Sequence, residues 1–234
     1  MKRHFLALVL VMTLSRIAAV PVDFQFSGQI VFSRDDAGWF SGAFPSNTTF
    51  TGRIHYDTSL ASGDVSNPAD SSYAQYQFHP NLADPPAMLV TDVNGHSFSS
   101  ANQFFINTYD NYGLNPPLPG LTPFDEIYYA TYSNFRFDNL ALTSPHQFAD
   151  FGIHFNSGIL TSTSSDALPL AAPDLAAFGN SFIDIFLFGY GNNPPIVWYR
   201  GNITSITPVP EPAATALLLT GACLWFCHRR QGRP

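Results

Sequence analysis

Phe24-Gln25-Phe26-Ser27-Gly28-Gln29-Ile30-Val31-Phe32 places Phe24, Phe26, Gly28, Ile30 and Phe32 at every second position, with Gln25, Ser27, Gln29 and Val31 between them. Successive side chains of a strand point to opposite faces, so this period of two predicts a β-strand. The pattern returns at Phe50, Gly52, Ile54 and Tyr56, with Thr51, Arg53 and His55 opposite. It recurs in 182–190, where Phe182, Asp184, Phe186, Phe188 and Tyr190 share a face, and again in 197–206. Shorter candidates are 73–78, 88–93, 97–98, 103–109, 127–132, 136–142 and 152–155.

Turn chemistry falls between these runs. Asn94-Gly95 is a hairpin signal, and Asp110-Asn111-Tyr112-Gly113, Asn115-Pro116-Pro117 and Gly191-Asn192-Asn193-Pro194 separate further strands. Many short strands with such punctuation give an all-β sandwich or barrel. The expectation is a two-layer β-sandwich, jelly-roll-like, over residues 20–207, with short helix expected only near 145–150 or 174–178. Open sandwich edges offer a route to pairing between molecules.

Composition fits one domain. The 234 residues are 45% hydrophobic, enough for a core, and only 12% charged, about half of what a soluble domain carries. Lys2 is the only lysine. From Val20 to Thr207, four arginines (34, 53, 136, 200) face sixteen acids, an excess of twelve negative charges. Such a surface repels phosphate backbones and anionic lipid, which disfavours nucleic-acid binding and peripheral membrane binding through basic patches. Both cysteines, Cys223 and Cys227, lie in the C-terminal apolar run, so the body has no disulfide to form.

The two ends carry the addressing information. Lys2 and Arg3, the apolar run 5–14 and the small residues Ala18 and Ala19 make a secretory leader, residues 1–19, forming a signal helix before cleavage after Ala19. At the other end stand Val209-Pro210-Glu211-Pro212, then Ala213 to Cys227 without a charge, then His228-Arg229-Arg230. Fifteen helical residues rise about 22 Å, short of a hydrocarbon core of about 30 Å, so this is a marginal span held by its basic stop. A marginal span behind a rigid polar motif reads as a signal meant to be removed.

Pro210, Glu211 and Pro212, the apolar run, and Arg229 with Arg230 together resemble the PEP-CTERM sorting signal of exopolysaccharide-producing Gram-negative bacteria. The resemblance covers about residues 208–234. It implies a membrane-spanning sorting helix recognised by an exosortase, which cuts near the motif and passes the body to the cell surface or matrix. The body, with Phe50-Thr51-Gly52-Arg53-Ile54-His55-Tyr56-Asp57 near its start and Gly201-Asn202-Ile203-Thr204-Ser205-Ile206 at its close, more loosely resembles bodies of such proteins. That second resemblance carries no known chemistry.

Catalytic signatures are sparse. Asp125-Glu126 holds the body's single glutamate and reads as a solvated loop pair entering a strand, although two carboxyls on one cleft would suit glycan hydrolysis. His55, His79, His96, His146 and His154 lack metal-site spacing and read as exposed strand or loop histidines; no Gly-x-Ser-x-Gly elbow occurs. Structural calcium is the one cofactor the acids suit, with Asp64, Asp70 and Asp92 as candidate ligands. Aromatic residues are abundant enough for a sugar-stacking face, with Trp39, Tyr112 and Trp198 as its leading candidates and Tyr109, Tyr128, Tyr129, Tyr132 and Tyr199 as others.

The sequence thus predicts a non-catalytic protein exported across the inner membrane, transiently anchored, then released to the surface or matrix. Signal peptidase and an exosortase are its expected processing partners and exopolysaccharide its expected surroundings. The alternatives are a carbohydrate-binding module and, behind it, a secreted glycan hydrolase.

Overall fold

The computed structural model describes residues 21–36, 38–64, 73–78, 86–100, 104–112, 124–132, 135–138, 140–141, 149–158, 167–187 and 197–209. The leader, Asp70, His79, His146, both cysteines, the Pro210-Glu211-Pro212 motif and Arg229-Arg230 lie outside them. Among the described residues, no helix is long and apolar enough to cross a membrane.

The chain is all-β. In order come β1 (Pro21–Asp35), β2 (Thr49–Asp57), β3 (Ser62–Asp64), β4 (Tyr73–Phe78), β5 (Met88–Asp92), β6 (Ser97–Ser100) and β7 (Phe104–Tyr112). There follow β8 (Phe124–Tyr132), β9 (Phe135–Phe137), β10 (Leu140–Ala141), β11 (Ala149–Ser157), β12 (Asn180–Leu187) and β13 (Val197–Pro208). Antiparallel pairing joins them into one sheet, ordered β10-β9-β6-β5-β2-β1-β13-β12-β11-β8-β7-β4-β3. β1 and β13, the first and last strands of the body, form its centre, with Phe24 opposite Pro208 and Asp35 opposite Val197.

Chain length forces this sheet to curl. β8 and β9 are eight places apart in the sheet, yet only residues 133 and 134 separate Tyr132 from Phe135. On a flat sheet eight steps of about 4.8 Å would span nearly 40 Å, whereas three Cα steps reach about 11 Å. The links β2 to β3, β4 to β5, β6 to β7 and β10 to β11 each span the same eight places. Successive hairpins therefore alternate between two arms that face each other. Ring contacts across the interior agree: Tyr56 of β2 lies 5.5 Å from Phe78 of β4 and 6.2 Å from Tyr129 of β8, and Phe98 of β6 lies 6.0 Å from Tyr199 of β13.

The inner face is one continuous apolar core that includes Phe24, Phe50, Ile54, Phe98, Phe104, Phe151, Ile183 and Tyr199. Fully burying each phenylalanine or isoleucine contributes about 1.5–3 kcal/mol relative to leaving it in water. Gly52 is needed where it stands, because the ring of its β2–β1 partner Phe26 occupies the space a β-carbon would take. Tyr129 and Tyr199, expected as sugar-facing rings, are core residues at 0% and 1% exposure.

Two expectations change at the outer face. The alternation puts Phe32 on the face of Phe24 and Ile30, but the β1–β13 register shifts between Ile30 and Phe32, and this bulge turns Phe32 out to 39% exposure. In β12 the alternating set Phe182, Asp184 and Phe186 does share a face, but the outer one; Ile183, Ile185 and Leu187 fill the core. Asp174 to Phe178 forms a turn, with the Ala177 amide donating to the Asp174 carbonyl at 3.0 Å, and residues 149–150 open β11. Among the described residues the outermost strands, β3 and β10, are three and two residues long.

Candidate functional site

Strand register assembles a strip of planar side chains on the outer face of β8, β11, β12, β13 and β1. His154 pairs with Tyr128 on one side and Phe182 on the other, Asp184 with Gly152 and Arg200, and Phe186 with Asp150 and Trp198. The His154 ring stacks on Tyr128 at 4.1 Å and on Phe182 at 4.5 Å. The Arg200 guanidinium lies 4.7 Å above the Phe182 ring and 5.4 Å above that of Trp198. Trp198 in turn contacts Phe186 at 5.3 Å and the bulged-out Phe32 at 4.7 Å. Gly152 makes room for the strip, since a β-carbon there would lie 2.4 Å from the Tyr128 ring.

Two carboxyls lie beneath these rings. Asp184 is 3% exposed; it accepts the Trp198 Nε1–H at 3.1 Å and the Arg200 Nε–H at 2.7 Å on Oδ1, and Nη2 of Arg200 on Oδ2. Asp150 accepts from the Tyr128 hydroxyl, which stands 3.0 Å from each of its oxygens. Burial pushes the Asp150 carboxyl up to about 6, reinforced by the negative charge of Asp184 and opposed by Tyr128 and His154. Glu126 receives His154 Nδ1 at 2.8 Å.

This arrangement corrects two sequence expectations. Asp125-Glu126 is not a solvated loop pair: both lie in β8, Asp125 fully buried and the Glu126 side chain 12% exposed against His154. The described histidines, expected as exposed strand or loop residues, are half-buried instead, and His55, His96 and His154 each face a carboxylate, of Asp23, Asp138 and Glu126 respectively.

The candidate sugar-stacking residues do not converge. Trp198 belongs to the strip. Trp39 is 44% exposed in the loop after β1, its amide donating to Asp35 Oδ1 at 3.0 Å. Tyr112 ends β7 in a separate group with Tyr109 at 5.1 Å, Phe124 at 5.6 Å and Tyr73 at 6.3 Å.

Of the calcium candidates, Asp64 ends β3 and Asp70 lies outside the described residues. Asp92 is 6% exposed, and its carboxylate accepts the amides of Phe44 at 2.6 Å, Asn94 at 2.8 Å and His96 at 2.9 Å. Three N–H dipoles aim their positive ends where a cation would sit, so this donor set does not fit a metal. Asp92 instead staples the β5–β6 hairpin to the loop before β2, where Phe44 is held at a φ of 47° with its ring in the core. Among the described residues no group of three or more His, Cys, Asp or Glu is placed to hold a metal ion.

A polar trough of about 500 Å³ runs across the outer face of β13, β1, β2 and β5, lined by Ser205, Ser27, Thr51, Arg53, Thr91 and neighbours. Register sets Ser205, Ser27, Thr51 and Thr91 in one row across these strands. Neither Asp150 nor Asp184 lines it.

Sequence reasoning missed Phe32, Asp150, Arg200 and the pairing of His154 with Glu126. No protein-family model matches the chain, and no curated protein or solved structure matches it either. Function is read from the residues and their geometry alone.

Proposed function

We propose that this chain is an exported, non-catalytic surface or matrix protein whose β body is delivered by an exosortase-type sorting system into an exopolysaccharide or biofilm setting. The observation that carries the proposal is where the body ends. β13 runs to Pro208, the amide of Val209 donates to the Asp23 carbonyl at 3.0 Å, and the Pro210-Glu211-Pro212 motif begins at the next residue. The motif thus begins where the last described strand ends, so removal of the tail would leave that strand whole. Phe24 pairs with Pro208, so residues 21 and 209 lie at the same end of the central strand pair. On this reading signal peptidase and exosortase both cut next to that end, and the membrane is engaged through the tail before processing.

A non-catalytic role accords with the strip chemistry. Asp184 is bonded to Trp198 and Arg200 and Asp150 to Tyr128, and neither lines the polar trough, so the described residues do not set these two carboxyls across it. The curled sheet, with hairpins alternating between facing arms, supports reading the body as a jelly-roll-like sandwich serving as a rigid display scaffold.

Intact mass of the protein recovered from the surface of a native host tests the proposal. A mass lacking residues 1–19 and everything beyond about Pro210 is expected. An intact C-terminus would make the chain a plain membrane-anchored protein and overturn exosortase processing.

A further inference from the structure

Exposed apolar side chains occur in the half of the central strand pair remote from the tail. Val31 and Phe32 lie at the bulge in β1 at 44% and 39% exposure, and Trp39 stands separately at 44% in the loop bonded back to Asp35. Across the pair, Trp198 lies opposite Arg34 and Arg200 opposite Phe32. From Pro208 back to Trp198 is ten residues of strand, about 33 Å at 3.3 Å each. Phe32 is thus an exposed ring held against the half-buried Trp198, their centroids 4.7 Å apart.

The chemistry of this end restricts its partner. Its arginines are matched internally, Arg34 with Asp36 and Arg200 with Asp184, and Asp35 adds a carboxylate bonded only to the amides of Trp39 and Phe40, so this end offers no unpaired cation to an anionic ligand. The body carries twelve excess negative charges, which repel uronate or phosphate polymers, anionic membranes and a second copy of the chain alike. What remains on offer is ring surface held in place beside hydrogen-bond donors. The Trp198 plane is fixed by its Nε1–H bond to Asp184 and by Phe32 and Phe186 against it. Arg200 uses two of its five N–H groups on Asp184 and is 39% exposed, leaving three to donate outward.

We infer that this end of the body binds an uncharged polysaccharide, with the C–H face of a pyranose on the exposed Phe32 ring, which Trp198 backs, and ring hydroxyls accepting from Arg200. The inference deepens the matrix reading and rests on it for the availability of such a polymer. The negative face of an aromatic ring attracts the slightly positive C–H edge of the sugar, and no charge has to be desolvated. Phe32 is available for this contact only because of the bulge that takes it out of the core phase.

Affinity electrophoresis of the full-length chain tests it, run in a polyoxyethylene detergent through gels containing a neutral glucan, mannan or galactan, or the polyanion alginate. Retardation by at least one neutral polymer and none by alginate is expected. Replacing Trp198 by Ala is expected to weaken retardation about tenfold, the size of one lost aromatic contact. Because Trp198 also anchors Asp184, Phe32→Ser is the second variant; Phe32 makes no hydrogen bond through its side chain, and the same loss is expected. No retardation by any neutral polymer, or equal retardation of wild type and Phe32→Ser, overturns the inference. Processing read by intact mass is independent, so a correctly cut protein that binds no polymer would refute this inference and leave the sorting proposal standing.

Discussion

The ring of Phe26 lies across the α-carbon of Gly52, so close that a β-carbon there would stand 2.1 Å from its Cζ. Gly52→Ala should therefore push Phe26 out of its place in the core, costing about 1–3 kcal/mol as overpacking does. A fall in the urea midpoint at unchanged slope is the expected reading; a midpoint at or above that of wild type would show that the ring moves aside freely.

Asp150 ties stability to pH in the direction opposite to an ordinary ion-paired acid. Its carboxyl sits at about 6 in the fold, above its usual value, so the folded state holds a proton that the unfolded state releases. Its contribution is therefore fully present at low pH and lost as pH rises from about 4 to about 6, by up to about 3 kcal/mol for a shift of about two units. Asp150→Asn keeps an acceptor for Tyr128 without the charge. Thermal melts should show the variant more stable than wild type at pH 7.5 and not at pH 4; equal melting at both would place the carboxyl in contact with water.

Asp184→Ala removes the common partner of Trp198 and Arg200. A fully buried pair broken this way costs about 3–5 kcal/mol, but Arg200 is 39% exposed and can turn to water, so about 1–3 kcal/mol is expected. Tryptophan emission should shift to the red as the indole loses its anchor, and unchanged emission would show that Phe32 and Phe186 alone hold it.

Asp92→Ala leaves three amides without an acceptor, that of Phe44 in a buried setting. An unsatisfied buried donor costs about 1–3 kcal/mol, and Phe44 is already held at a φ that a bulky side chain resists. Hydrogen exchange at the Phe44 and His96 amides should accelerate in Asp92→Ala and less in Asp92→Asn, which retains one acceptor. Wild-type protection in the alanine variant would remove the staple from the account.

The strands of the body were legible where period two ran uninterrupted. Phe24, Phe26, Ile54 and Tyr56 are buried as the alternation requires. Phe32 was misread because a bulge costs one residue of phase and leaves no mark in composition. The strip was illegible for a different reason: Tyr128, His154, Asp184 and Arg200 lie on four strands, and only the register among β8, β11, β12 and β13 brings them together. Asp92 reads in sequence as a candidate calcium ligand because oxygen chemistry is visible there, whereas the amide of Phe44, 48 residues away, is not. The leader and tail are read from sequence pattern alone.

The pairing of β1 with β13 also sets the order in which the body can form. A sheet whose middle is made from its first and last strands cannot be built outward as the chain emerges, because residues 21–35 wait for residues 197–208 before the centre exists. Closing so long a loop makes folding late and slow compared with hairpin-by-hairpin growth. On the export reading, that delay keeps the polypeptide threadable until nearly all of it has crossed the membrane. Truncation before Val197 would remove the keystone and leave two half-sheets, each with a raw apolar edge, rather than a shortened but sound scaffold.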